Sequence, residues 1–257
     1  MIPVLVIARM VIKEIFRKKD FYVALILIAV ILFYASSLQF YNTEKVVRYL
    51  EEIGLLLIFI FSVILTATLA ARQYPSEIQN RTAYVLLAKP ISRLQFILGK
   101  FLGSLLAGWS AFSIFYVFFL AIVHVKGGGL VSPLLATQVF YLFLLCLMIV
   151  SAMASAFSYV LTVSANVTLT ITLYLLINTY GAVLKKASQH LIWLSRSLGE
   201  ALYYLMPHFE FFDLRQRFIH EWAPLSFGLM GFLTLYALIY TGLFIFLSWI
   251  FLRKRAI

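Results

Sequence analysis

The chain has 257 residues, of which 63% are hydrophobic and 12% charged, and a formal net charge of +11 at pH 7. Soluble domains carry about 25% charged residues, so this composition excludes an ordinary water-soluble enzyme and leaves no room for a soluble catalytic domain. The basic excess is read through membrane topology rather than nucleic-acid binding, and one cysteine, Cys146, excludes a disulfide framework and a cysteine-built metal site.

In chain order, Val4–Lys18 is expected to form an amphipathic helix. Arg9, Lys13 and Arg17 recur at i, i+4, i+8 on one face, and Leu5, Ala8, Ile12 and Ile15 make an apolar face. Such a helix lies along a membrane interface rather than crossing it. Uncharged runs then follow: Phe21–Thr43, Ile53–Ala71, Phe101–Val125, Gly127–Leu184 and Trp222–Leu252. Each has at least the ~17–25 residues a helix needs to cross a hydrocarbon core, and Gly127–Leu184 is long enough for two. Lipid offers backbone amides no hydrogen bonds, so these runs must be helices. No small-residue cleavage site is evident after Phe21–Phe40, so that run reads as a retained span.

Six spans are predicted: Phe21–Tyr41, Ile53–Ala71, Ile97–His124, Leu134–Leu161, Ala165–Leu184 and Gly228–Leu252. The expected fold is all-α, one polytopic transmembrane domain over residues 1–257. It comprises an interfacial helix (1–20), spans one to five (21–184), an outer loop with a surface helix (185–227), and the sixth span with a basic tail (228–257). In the outer loop, Leu191, Leu194, Leu198, Leu202 and Leu205 repeat at helical spacing up to Pro207. Phe209–Phe218, rich in aromatic and charged residues, is expected to fold back on the spans.

Charge sets the orientation. With a cytoplasmic N-terminus, the inner segments hold 13 of the 21 basic residues and a net charge of +10, against +1 outside. That is the positive-inside bias. Both termini are basic, so an even number of spans is required, and the expected location is the cell membrane with both termini cytoplasmic.

Motifs for chemistry are missing. There is no G-x-x-x-x-G-K-[ST] phosphate loop, no H-E-x-x-H and no G-x-S-x-G. Apart from Lys100 at the cytoplasmic end of the third span, no Asp, Glu, Lys or Arg lies inside a span. Ion-coupled transporters usually keep such a group there, so energy is expected from a partner. His190, His208 and His220 sit in the outer loop at spacings that match no metal motif, and no metal site is predicted. Gly127-Gly128-Gly129 reads as a turn. Ser151, Ser155 and Ser158 form a small-residue stripe on the fourth span, and Asn178 and Thr179 lie on the fifth. Helix packing is the favoured role for these five, with pathway lining the second.

The most specific stretch is Arg72–Gly103, a basic connection with one acid, an apolar core at Tyr84–Ala88 and a break at Pro90. These are features of a short docking helix. Its residues Glu77, Arg81-Thr82, Leu86-Leu87, Lys89-Pro90-Ile91-Ser92-Arg93 and Gly99-Lys100-Phe101-Leu102-Gly103 resemble permease subunits of ABC-2 type transporters. The likeness is to the six-span group associated with multicopper-enzyme maturation. That group usually has Gly where this chain has Arg81. Leu205–Asp213 is also similar to the group's segment before the sixth span.

The resemblance implies a coupling helix between spans two and three that seats in an ATP-binding subunit. Glu77, Arg81, Lys89, Pro90, Arg93, Gly99 and Lys100 would then be contact or shaping residues. Ser164 and Asn166, in the Thr162–Asn166 turn, would make a second, minor cytoplasmic contact. It also implies a pair of six-span protomers, of like or related chains, with ATP and Mg held in the partner and no cofactor in this chain. A non-transport membrane scaffold or maturation factor is the alternative, but it has no need of a Pro-broken basic helix at this place.

Overall fold

Long helices, as lipid demands of uncharged runs, dominate the computed structural model, which describes residues 2–17, part of 19–33, 43–75, 92–125, 132–188 and 206–254. Among these the elements are α1 (Ile2–Arg17), α2 (Thr43–Ala71), α3 (Arg93–Val125), α4 (Pro133–Ser158), α5 (Val163–Ser188), a 3-10 turn (Phe209–Phe212), α6 (Arg215–Ile219) and α7 (Phe227–Lys254). The described positions between 22 and 33 are helical, and Tyr22, Val23, Ile26, Leu27, Val30 and Phe33 expose their side chains, as a lipid-facing first span requires. The rest of that span and the predicted surface helix Leu191–Leu205 lie outside the described residues.

Four described helices are long and apolar enough to cross a membrane: Glu51–Pro75, Arg93–Val125, Pro133–Ser158 and Phe227–Arg253. Within α5 the apolar stretch among the described residues is Val163–Asn178. The protein is therefore an all-α polytopic membrane protein. One connection differs from a simple loop: α2 begins at Thr43, so most of Asn42–Glu52 is already helical.

The central helix is α4. Its start is fixed by Pro133 at the first turn and by Ser132, whose Oγ accepts from the Leu135 amide at 3.1 Å. Phe143 stacks on Phe59 of α2 at 3.8 Å and tilts against Phe112 of α3 at 4.7 Å. From α3, the Trp109 indole donates to the Leu144 carbonyl at 2.9 Å, and the Tyr116 hydroxyl to Ala136 at 2.9 Å. Each of these polar groups is satisfied inside the bundle, where lipid offers no alternative.

Contacts at the two ends fix the threading. Tyr74, Phe96, Ile97, Tyr159 and Leu252 form one cluster, so the ends of α2, α4 and α7 meet the start of α3. At the opposite end, Phe119 of α3 meets Phe218 at 6.2 Å, and Gln138 of α4 exchanges two 2.9 Å hydrogen bonds with the Leu225 backbone. Thus α2, α4 and α7 run towards one end of the bundle and α3 runs away from it. Phe209, Phe212 and Phe218 are fully buried, and the stretch folds back on the spans as expected.

Candidate functional site at the basic end of the bundle

The end marked by Tyr74 and Leu252 carries Arg72, Arg93 and Arg253, and the Arg72–Gly103 connection begins there and returns to it. Glu77, Arg81, Lys89 and Pro90 lie outside the described residues. Both flanks of the segment are anchored. On the leading side, the buried Tyr74 ring packs 4.4 Å from Tyr159, just beyond α4. On the trailing side, Ser92 and Gln95 form a reciprocal cap. The Ser92 amide donates to Gln95 Oε1 at 3.0 Å, and the Gln95 amide to Ser92 Oγ at 3.2 Å. This capping box starts α3 sharply, right after the Lys89-Pro90 step.

Arg93 reaches across to the last span. Its Nη1 donates to the carbonyls of Leu252 and Arg253 at 3.4 and 3.3 Å. Those carbonyls belong to the final turn of α7, where helix geometry leaves them unpaired and the helix dipole favours a cation. One side chain therefore ties the start of α3 to the end of α7.

Gly99 and Gly103 have a different task. α3 is 33 residues long, about 50 Å, so it outreaches a hydrocarbon core of about 30 Å. Its first turns receive α1. A Cβ on Gly99 would stand 2.6 Å from Ile7 Cβ, and one on Gly103 would stand 2.5 Å from Val11 Cβ. The two glycines are i, i+4 on one face and let the helices touch at their backbones. Ile7, Ala8, Val11 and Ile15 are buried there, while Leu5 is 65% exposed and Ile12 is half-buried. The face that packs is thus rotated from the expected Leu5–Ala8–Ile12–Ile15 set, because α3 rather than lipid covers it. Lys100, one of the contact or shaping residues that the resemblance implies, is 6% exposed.

At the α4–α5 turn, Ser164 is exposed but Asn166 is fully buried. Asn166 Nδ2 donates to the Ala154 carbonyl at 2.9 Å, and Thr170 Oγ1 donates to Asn166 Oδ1 at 3.1 Å. Asn166 therefore holds the corner from within, and Ser164 is the group available outside. In the fourth span, Ser151 meets Ser104 of α3 at 3.3 Å, and Ser158 donates to the Ser155 carbonyl at 2.7 Å. All three serines are buried in helix contacts. Asn178 is half-buried, and the Thr179 side chain lies outside the described residues. Deeper in the bundle, a Cβ on Gly108 would clash with the Thr66 side chain, so the glycine permits the close α2–α3 contact there.

The opposite end holds the histidines. His208 stacks on Phe211 at 5.3 Å and His220 on Trp222 at 5.7 Å; among the described residues no group of His, Cys, Asp and Glu is arranged to hold a metal. His190 lies outside them. Asp213 pairs with Arg215 at 2.6 Å, and Arg215 lies 5.8 Å from the Phe59 ring centre. Burial works against the Arg215 charge, yet its hydrogen bonds and attraction to Asp213 outweigh this and raise the guanidinium pKa.

The sequence reading missed the capping box and the tie from Arg93 to α7. The first was legible as Ser-x-x-Gln before an apolar run. The second joins positions 159 and 160 residues apart and left no local signal. A family model described as ABC-2 family transporter protein matches residues 5–256. No curated protein matches the chain.

Proposed function

The chain belongs to the ABC-2 transporter family, a family of membrane transport components, and we propose that it is the permease subunit of an ATP-driven exporter whose separate ATP-binding subunit seats on the Arg72–Gly103 segment. The observation that carries this reading is the anchoring of that segment. Its leading flank packs through Tyr74 on the end of α4, and its trailing flank is tied through Arg93 to the end of α7. A push on the segment is thereby delivered to three spans, α3, α4 and α7, rather than lost in a slack loop. Positive-inside topology accounts for the charges of the segment, but not for the capping box or the anchored flanks.

In this reading ATP and Mg bind the partner, and the chain supplies the path and the coupling surface. The basic end faces the cytoplasm of the cell membrane, with both termini on that side. Glu77, Arg81 and Lys89 make the contact, Pro90 shapes it, and Arg93 positions it. Ser164 supplies the second contact, held in place by Asn166. Two such protomers form the working unit. The outer face of α7 supports this: Phe232, Leu235, Ile239 and Phe246 are exposed, and a Cβ on Gly228, Gly231 or Gly242 would meet nothing within 4 Å. That face is open to lipid or to a second chain.

The test is to purify the chain alone and together with an ATP-binding subunit. ATPase activity only in the complex, stimulated by cargo, is expected. Hydrolysis by the chain alone, or cargo movement driven by a proton gradient only, would contradict the proposal.

A further inference from the structure

At the end of the bundle opposite the basic one, α6 covers one face of α2. Glu51, Leu55 and Phe59 recur at i, i+4, i+8 and so share that face, and they are 6%, 0% and 2% exposed. The Arg215 guanidinium, at the start of α6, lies 5.8 Å from the Phe59 ring centre. From there α6 runs back along α2 and brings the turn at Glu221 within electrostatic reach of Glu51. That turn is fixed in place. The Trp222 amide donates to the Arg217 carbonyl at 3.0 Å, Arg217 Nη1 donates to the Ala223 carbonyl at 2.9 Å, and Glu221 takes φ 50°, a conformation that usually falls to glycine. Glu51 is thus a carboxyl enclosed just before the uncharged run Ile53–Ala71, with no hydrogen bond or ion pair among the described residues. The charged groups that bear on it are Glu221, which repels it, and the exposed Arg48 of its own helix, which offsets this only in part. On the covering stretch Asp213 and Arg215 are spent on each other, Arg217 on Ala223, and His220 stacks on Trp222.

A carboxylate enclosed without a partner is neutralised by taking up a proton rather than staying charged. We propose that Glu51 is a proton-operated latch for the Arg215–Glu221 stretch. With its carboxyl protonated, α6 sits on α2; once the proton leaves to the medium, the carboxylate is driven from its enclosed place and α6 loosens. The proton is held more tightly in the seated state, so seating is complete at low pH. It weakens as the pH rises above the ordinary glutamate titration at about 4.3, until Glu51 ionises in place. Glu221 extends that range, because its charge opposes the one Glu51 would acquire. The latch does not depend on the ATP-binding partner or on there being one.

The experiment is amide exchange of the full chain in detergent, from about pH 4 to about pH 8, read at Phe218, His220 and Trp222, whose backbone hydrogen bonds hold α6 and its turn. Wild type is compared with Glu51→Gln. The ratio of their rates at each pH cancels the intrinsic pH dependence of exchange and the titration of every group the two proteins share. It should rise with pH by about tenfold for each unit by which enclosure displaces the Glu51 titration, then level off. The ratio of wild type to Glu221→Gln should rise in the same direction to a lower plateau, and this arm decides the matter if Glu51→Gln fails to fold. Glu52→Gln, which alters the exposed neighbour, should keep the wild-type response. A ratio of wild type to Glu51→Gln that stays flat across the range would overturn the proposal, as would loss of the pH response in Glu52→Gln.

Discussion

Gly103 and Val11 meet so closely that a Cβ on the glycine would stand 2.5 Å from that of the valine. This contact and its neighbour at Gly99 and Ile7 make α1 and the first turns of α3 a single packed unit. Replacing Gly103 by Val should therefore force the two helices apart, at a cost of about 1–3 kcal/mol, the usual penalty for overpacking. Gly242→Ala, where an added Cβ meets nothing within 4 Å, serves as the control. Thermal unfolding in detergent should show a lowered midpoint for Gly103→Val only, and equal midpoints would show that α1 is not seated there.

Arg93 offers a second test. Its two bonds to the last carbonyls of α7 should be lost in Arg93→Gln and partly kept in Arg93→Lys. A cation at a helix C-terminus contributes about 0.3–1 kcal/mol. Amide exchange in residues 250–254 should accordingly rise about twofold to fivefold in Arg93→Gln. Unchanged exchange there would break the tie between α3 and α7.

Asn166 should behave as a buried bracket. Asn166→Leu removes its bonds to Ala154 and Thr170, and hydrogen bonds inside membrane bundles contribute about 0.6 kcal/mol on average and about 1.7 at most. Asn166→Asp should be worse, because it places an acid where the side chain is fully buried. Ser164→Ala, at the exposed position beside it, should unfold at the wild-type temperature. The ordering Asp below Leu below wild type is the expected result of a melting series. A destabilised Ser164→Ala with an unaffected Asn166→Leu would reverse the roles of the two residues.

Much of this architecture was legible in the chain. Uncharged runs the length of a bilayer left helices as the only option. Gly99-x-x-x-Gly103 was visible as a motif, but what covered it was not. Hydrophobic period tells which residues share a face of α1 and is silent on whether lipid or α3 meets that face. Ile7 and Val11 were missed for that reason. Gln138 was missed as well, since its partner Leu225 is 87 residues away and nothing local in either stretch announces the pairing. Lys100 was grouped with the contact or shaping residues of the connection. The helix phase instead puts it inside, one turn from Ser104.

The central claim is that the connection between the second and third spans is where an ATP-binding subunit grips this chain. Because Arg93 also holds α7, the charge test belongs on Glu77, Arg81 and Lys89. Truncating one partner of a desolvated charge pair at an interface costs about 2–5 kcal/mol, whereas a rim charge mainly alters association rate. The decisive measurement is co-purification of the ATP-binding subunit, with cargo-stimulated ATPase activity, for Glu77→Lys and for Arg81→Glu with Lys89→Glu. Lys45→Glu with Arg48→Glu, at the opposite end, is the matched control. The account predicts that the first two lose the subunit or its stimulation while still inserting in the membrane, and that the control keeps both. Wild-type association and stimulation in all three would contradict it, and would leave the basic segment with topology as its only role.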